Sequence, residues 1–116
     1  MVQDREKDMA RRVNSRRKGV DGELQWAKHC RTAGFDARRS QQYCGTAGDA
    51  DVVSDDLDKF HMEVKRVERL NVLNAMEQAK QDCAGRVPVV AHRKDHCEWL
   101  VTMRAEDWFD LVREVI

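Results

Sequence analysis

Two stretches of sequence decide the fold: GDADVV at 48–53 and HMEVK at 61–65. The valine-bearing segment 50–54 and the alternating segment 59–67 are typical of strands, and the Asp-Asp-Leu-Asp segment 55–58 between them has turn chemistry. Within the second strand the alternation puts Phe60, Met62 and Val64 on one face, and His61, Glu63 and Lys65 on the other. The two segments are therefore predicted to form a β-hairpin.

The segments on either side of this hairpin predict an α/β domain with a central mixed sheet. Apolar spacing predicts a first helix over 17–33, ended by Gly34, and a second helix over 71–84, ended by Gly85. The remaining predictions are a strand at 35–39, a loop at 40–48, strands at 87–92 and 98–102, and a closing helix from Ala105. The predicted order is helix, three strands, helix, two strands, helix.

Length and composition are those of one globular domain. The chain has 116 residues, of which 36% are charged and 41% hydrophobic. We expect a basic, flexible N-terminal arm over 1–16 and a single domain over 17–116. No apolar run approaches the roughly 20 residues that span a bilayer, and the N-terminus lacks the hydrophobic stretch of a signal peptide. The expected location is therefore the cytoplasm, without membrane contact.

The formal net charge of zero hides a polarity along the chain. Residues 1–45 carry 11 basic and 6 acidic side chains, and residues 46–116 carry 10 basic and 15 acidic ones. Five cations lie within eight residues that contain no acid: Arg11, Arg12, Arg16, Arg17 and Lys18. Such a cluster is suited to phosphate contacts along DNA, and the alternative is a solvated helix start.

The predicted hairpin gathers ionisable groups. A turn centred near Leu57 puts Asp51 opposite Glu63, and Lys65 projects from the same face two residues on. Facing carboxylates repel unless a cation lies between them, and oxygen ligands of this kind suit Mg²⁺ or Mn²⁺. The alternative is a row of ordinary solvated charges on an outer sheet face. Glu23 favours the shared site, because its helical position places it on the apolar face of the first helix.

The pieces and their order resemble the PD-(D/E)xK nuclease superfamily, and within it the small archaeal-type and phage Holliday junction resolvases. The resemblance runs from Lys18 to about Trp99 and rests on these motifs: Lys18-Gly19, Glu23, Gly34-Phe35, Arg38-Arg39, 48–53, Glu63-Val64-Lys65, Gln78-Ala79 and Pro88-Val89. It implies a restriction-endonuclease-like fold and a magnesium-dependent endonuclease that resolves four-way DNA junctions by phosphodiester hydrolysis. Mn²⁺ is expected to substitute for Mg²⁺, and no small-molecule cofactor is expected.

The resemblance also implies roles for individual residues. Asp51 and Glu63 would bind the metal with the Val64 carbonyl, Lys65 would position or polarise the attacking water, and Glu23 would help at a metal position. Arg38 and Arg39 would extend the DNA-binding track of the basic cluster, and Ser40 and Gln78 are possible supporting residues. Ala50 stands where the motif usually has proline, so Asp49 competes with Asp51 for the motif position; the Val52-Val53 run favours Asp51.

Two symmetric cuts in a four-way junction require two sites, which predicts a homodimer. Trp108, Phe109 and Ile116 on the closing helix are candidates for the dimer interface, and equally for the core. Two other functions stay open: another nuclease of the superfamily acting on flaps or linear duplex, and a DNA-binding module without catalysis. Intact Asp51, Glu63 and Lys65 argue against the module.

Overall fold

The computed structural model describes residues 2–40 and 50–116, and for residues 2–15 it describes the backbone alone. The order of elements is the predicted one: α1 (Val2–Thr32), β1 (Arg38–Arg39), β2 (Val52–Val53), β3 (Phe60–Arg66), α2 (Val72–Asp82), β4 (Val87–Arg93), β5 (Leu100–Met103) and α3 (Ala105–Val115). Asp49 lies outside the described residues, as do the side chains of Arg11 and Arg12.

Helix α1 is longer than its apolar pattern indicates. The helix start predicted at Arg17 is wrong, because apolar periodicity marks only the turns that contact the core, whereas residues 2–16 contain neither glycine nor proline to stop a helix. The predicted end is correct. Gly34 has a φ of 99°, and the Phe35 N–H donates to the Cys30 carbonyl at 3.0 Å, which closes a Schellman-type turn. The division into a flexible arm and a domain stays a prediction.

The five strands form one mixed sheet in the order β1-β2-β3-β4-β5. The β1–β2, β2–β3 and β4–β5 pairs are antiparallel, and β3 and β4 are parallel with α2 as their connection. The predicted hairpin is confirmed, since β2 and β3 pair with Val52 opposite Met62. Strands β1 and β2 have only two residues each, so both are shorter than predicted.

Helices cover both faces of the central strands. One core cluster joins Ala27 and Cys30 of α1 to Met62 and Val64 of β3. A second cluster, formed by Ala75, Met76 and Ala79 of α2 with Val90 of β4, lies on the opposite face of the sheet. Strand β3 is therefore buried on both sides, and the face that carries His61, Glu63 and Lys65 is turned towards α2 rather than solvent.

Gly22 lets α1 approach β3 closely. A Cβ atom built at this position would lie 2.9 Å from the Cβ of Arg66, a distance that real Cβ contacts do not show. The neighbouring Gly19 has open space around it. The absence of a side chain at residue 22 thus holds the Lys18–Glu23 part of α1 against the end of β3.

Helix α3 contains no buried residue. Trp108 and Phe109 are about half exposed, at 52% and 51%, and Ile116 is 95% exposed. The choice between core and surface for these three side chains is thereby decided in favour of surface. Leu100 and Val101 of the edge strand β5 are also exposed. Within the described part of the chain, no helix combines the length and apolarity needed to cross a bilayer.

Candidate functional site

The predicted catalytic and metal-binding residues, with two other predicted site residues, line one cleft of about 320 Å³, which we call the carboxylate cleft: Glu23, Asp51, Glu63, Val64 and Lys65, with Lys18 and Gln78. Helix α1, strand β3 and helix α2 supply its walls, and Asp51, the residue directly before β2, also lines it. Arg66 also lines the cleft and was not predicted. Residues that are up to 60 positions apart in sequence therefore meet at one end of β3.

The hairpin register brings Asp51 beside Glu63. Val52 pairs with Met62, so continuing the antiparallel ladder by one residue sets Asp51 opposite Glu63. The backbone N–H of Asp51 donates to the Met62 carbonyl at 3.1 Å, and its carboxylate Oδ2 accepts the Val64 N–H at 2.9 Å. The Asp51 side chain is thus held over β3 by the backbone that follows Glu63.

Burial makes these two carboxylates costly to ionise together. Desolvation, followed by the nearby charge of Glu63, raises the pKa of Asp51 from 3.8 to about 7, although the Val64 N–H opposes the shift. Desolvation also disfavours the charged form of Glu63, but hydrogen bonds from His61 and Asp51 outweigh it and lower the pKa of Glu63. Without a cation, the pair of carboxylates therefore retains a proton up to about pH 7.

His61 is a site residue that the sequence analysis missed. Its side chain is completely buried, and its Nε2 lies 2.8 Å from Oε1 of Glu63, whose side chain is only 3% exposed. The available signal was the run VPVVA at 87–91, which is typical of a parallel strand and implies a neighbouring strand buried on both faces. A histidine and a glutamate two residues apart on such a strand share an interior face.

Lys65 and Gln78 are in contact across the cleft, and the supporting role of Gln78 stays a prediction. The ammonium of Lys65 donates to Oε1 of Gln78 at 3.2 Å, so helix α2 orients the lysine from across the cleft. Gln78 itself is exposed on the surface of α2, and its hydrogen bond to Lys65 connects it to the site. The lysine ammonium therefore has a defined position beside the two carboxylates.

Glu23 faces the same cleft, as predicted, but its partner is a cation. Its carboxylate forms an ion pair with the Arg39 guanidinium of β1. The Ser40 N–H donates to the Asp51 carbonyl at 3.0 Å, so the serine neighbours the site through the backbone. Arg38 points elsewhere, towards Asp36 at 3.6 Å. The metal-ligand role of Glu23 and the supporting role of Ser40 stay predictions.

Lys18 and Arg66 meet on one carboxylate at the edge of the cleft. Asp95, in the turn between β4 and β5, is 3.3 Å from Nζ of Lys18 and 3.0 Å from Nε of Arg66. Partial desolvation of Asp95 is outweighed by these two cations, with Lys18 the larger contributor, so the pKa of Asp95 lies below its ordinary value. Asp95 thereby holds two cations beside the carboxylate cleft. Arg16 and Arg17, which directly precede Lys18 on α1, are exposed.

The donors in the cleft suit a hard divalent cation. Asp51 and Glu63 are two facing carboxylates that repel each other when both are charged, and a cation between them removes that cost. Across residues 16–40 and 50–116, no group of three or more His, Cys, Asp or Glu side chains is placed to hold a metal. Two carboxylates with waters and substrate oxygens completing the shell is the arrangement that Mg²⁺ usually adopts.

A larger cleft of about 530 Å³ lies between α1 and the segment before β5. Lys28, His29, Arg93 and Trp99 line it, with Glu98 as its one acidic residue. Its described lining has one carboxylate and no facing pair. The carboxylate cleft, which holds the predicted catalytic residues, is therefore the candidate site.

A five-stranded mixed sheet with helices on both faces is the restriction-endonuclease-like architecture that the sequence predicted. The predicted fold is confirmed by a solved structure: Hjc of Archaeoglobus fulgidus, a Holliday junction resolvase from an archaeal hyperthermophile. The match has a TM-score of 0.58 at 21% sequence identity and covers 73% of this chain and 76% of that chain. No protein-family model and no curated protein matches the sequence.

Proposed function

We propose that this chain is a metal-dependent, structure-selective DNA endonuclease that resolves four-way junctions by symmetric phosphodiester hydrolysis. One observation carries the proposal: Asp51, Glu63 and Lys65 converge in one cleft of a fold shared with a Holliday junction resolvase. The burial of Glu63 argues against solvated surface charges, since a 2% exposed carboxylate needs compensating partners.

Each residue has a physical task in this proposal. Asp51 and Glu63 would hold Mg²⁺, or Mn²⁺ in its place, together with the Val64 carbonyl. When bound, the cation would stabilise the charge that develops on the phosphate and the leaving oxygen. Lys65, oriented by Gln78, would position the attacking water in line with the scissile bond. Glu23 would support the site from α1.

Cations around the cleft would bring the phosphate backbone to it. Lys18 lines the cleft itself, and the exposed Arg16 and Arg17 continue along α1. Arg11 and Arg12 are proposed to extend this track on the preceding turns. Electrostatic attraction of this kind is sequence-independent, which suits an enzyme that recognises the shape of a junction rather than its bases.

Two cuts need two copies, and we propose that the chain forms a homodimer. The proposed interface is the terminal apolar surface, defined as the exposed side chains of Trp108, Phe109, Val115 and Ile116 at the C-terminal helix. Aromatic and aliphatic side chains exposed together on one helix without a buried residue are typical of an interface. A C2 arrangement would give the symmetric pair of active sites that a four-way junction requires.

The activity is tested on labelled DNA substrates. The purified protein is incubated with a four-way junction, a flap and a linear duplex, each with Mg²⁺ and with chelator. We expect paired symmetric nicks in the junction alone, lost in Asp51→Asn and retained in Asp58→Asn, which makes the same change at an exposed position of the hairpin turn. Equal cutting of linear duplex would favour another nuclease of this fold, and metal-independent binding without cleavage would favour a DNA-binding module.

The dimer is tested separately by sedimentation velocity. Trp108→Glu combined with Phe109→Glu places two charges on the terminal apolar surface and should convert a dimer to monomers. Leu73→Glu is the matched control, because Leu73 is an exposed apolar residue, 78% exposed, on α2. A wild-type protein that is monomeric both alone and on the junction contradicts the dimer proposal.

A further inference from the structure

His61 occupies an unusual position for a histidine. It is fully buried in the central strand β3 and is among the largest side chains with no exposed surface. Its neighbours in sequence, Phe60 and Met62, point to the opposite side of the sheet and contribute to the core beneath α1. An apolar residue would fill the His61 position without the cost of burying a polar ring.

The hydrogen bonding of the ring is asymmetric. Nε2 contacts Oε1 of Glu63 at 2.8 Å, and an ionised carboxylate can only accept, so Nε2 carries the proton and donates it. Nδ1 is buried and has no hydrogen-bond partner among the described residues. Leaving such an atom unpaired costs free energy, because the atom loses its hydrogen bonds to water on burial. The Nε2–Glu63 hydrogen bond is thus the one polar interaction of this buried ring in the structure.

We propose that His61 is a positioning residue for the metal site: its Nε2–H holds Oε1 of Glu63, which would leave the second carboxylate oxygen for the divalent cation that Glu63 and Asp51 would bind. The proposal rests on the proposed function, since it assumes that this carboxylate binds a metal. The hydrogen bond removes side-chain freedom from Glu63 before the cation arrives. A ligand that is already oriented loses less entropy on binding.

The size of the effect follows from other metal sites. Carboxylates that ligate a metal are themselves held by hydrogen bonds, and removing such a partner typically weakens metal affinity or activity about 10–100-fold. His61 does not reach the substrate in this arrangement, because its side chain has no exposed surface. Its loss should therefore act on the affinity for metal rather than on DNA binding.

Three substitutions separate hydrogen bonding from filling of space. His61→Gln keeps an N–H donor at about the reach of Nε2. His61→Asn keeps an amide but shortens its reach, and His61→Met fills the space without a donor. Binding of Mn²⁺ is measured by isothermal titration calorimetry on the full chain without DNA, and the rise in melting temperature with Mg²⁺ provides a second readout.

We expect His61→Gln to bind Mn²⁺ within about 3-fold of wild type, and His61→Asn and His61→Met to bind about 10–100-fold more weakly. Equal affinity in all variants would overturn the proposal, and so would equal weakening in all three. If His61→Met fails to fold, the comparison of the Gln and Asn variants decides the matter, because both are polar and differ only in reach.

The same titration distinguishes this inference from the proposed function. Asp51→Asn and Glu63→Gln change the proposed metal ligands themselves. If both variants bind Mn²⁺ as wild type does, the metal site of the proposed function is refuted. If both lose binding while His61→Asn and His61→Met retain it, the metal site stands and the positioning role of His61 is refuted.

Discussion

Asp51→Asn should stabilise the metal-free protein at alkaline pH. The pKa of Asp51 is about 7 in the folded protein against an ordinary value of 3.8, so the folded state binds this proton more tightly than the unfolded state does. The resulting contribution to stability is fully present when the pH is below the pKa of Asp51 in the unfolded chain. It is lost as the pH rises through the pKa of Asp51 in the folded protein. An asparagine keeps an oxygen for the Val64 N–H and never becomes charged, which removes this loss.

The magnitude follows from the two pKa values. Between about pH 5 and the folded-state pKa of about 7, Asp51 is protonated in the folded protein and ionised in the unfolded chain. Each of these roughly two pH units lowers the unfolding free energy of the wild type by about 1.4 kcal/mol. The total loss by about pH 8 is therefore about 2–3 kcal/mol. The variant should lose none of it. The difference in unfolding free energy between variant and wild type should therefore shift by about 2 kcal/mol in favour of the variant.

Urea denaturation at the two pH values, with chelator present, measures this difference. Asp58→Asn is the control, because the same chemical change at an exposed position should give no comparable shift. Added Mg²⁺ should reverse the order at about pH 8 by stabilising wild type and not Asp51→Asn. A difference between variant and wild type that is the same at both pH values refutes the raised pKa that burial, and then the charge of Glu63, give to Asp51.

Three further predictions concern other parts of the molecule. Gly22→Ala should destabilise the fold by about 1–3 kcal/mol through its clash at β3, whereas Gly19→Ala should stabilise α1 by up to about 1 kcal/mol; thermal unfolding would contradict this if both changes had the same sign. Lys65→Met should slow single-turnover junction cleavage about 10²–10⁴-fold at unchanged junction affinity, and an equal loss of affinity would assign the lysine to DNA binding. Neutralising Arg16 and Arg17 should reduce the salt dependence of DNA binding by about one to two units of slope, and an unchanged slope removes them from the DNA contact surface.

The local order of this chain follows from its sequence. The apolar alternation of 59–67 predicts a strand because side chains alternate across a sheet, and Gly34 ends α1 because it adopts the positive φ that a helix-terminating turn requires. The hairpin register, and with it the pairing of Asp51 and Glu63, also follows, since a short acidic turn leaves few alternative alignments. These are interactions between residues close in sequence.

Tertiary structure decided what the local pattern left open. Periodicity did not reveal that α1 begins at Val2, because the turns before Arg17 have no core-facing stripe to mark them. The burial of His61 and Glu63 depends on α2 and β4, which cover the second face of β3 from a distance in sequence. Likewise, the pKa of Asp51 comes from desolvation and from Glu63, and both arise only when the sheet and helices are assembled. The sequence by itself determined which carboxylates could lie opposite each other. Only the packed fold determined that they are shielded from water, where their mutual repulsion is strong and a divalent cation would relieve it.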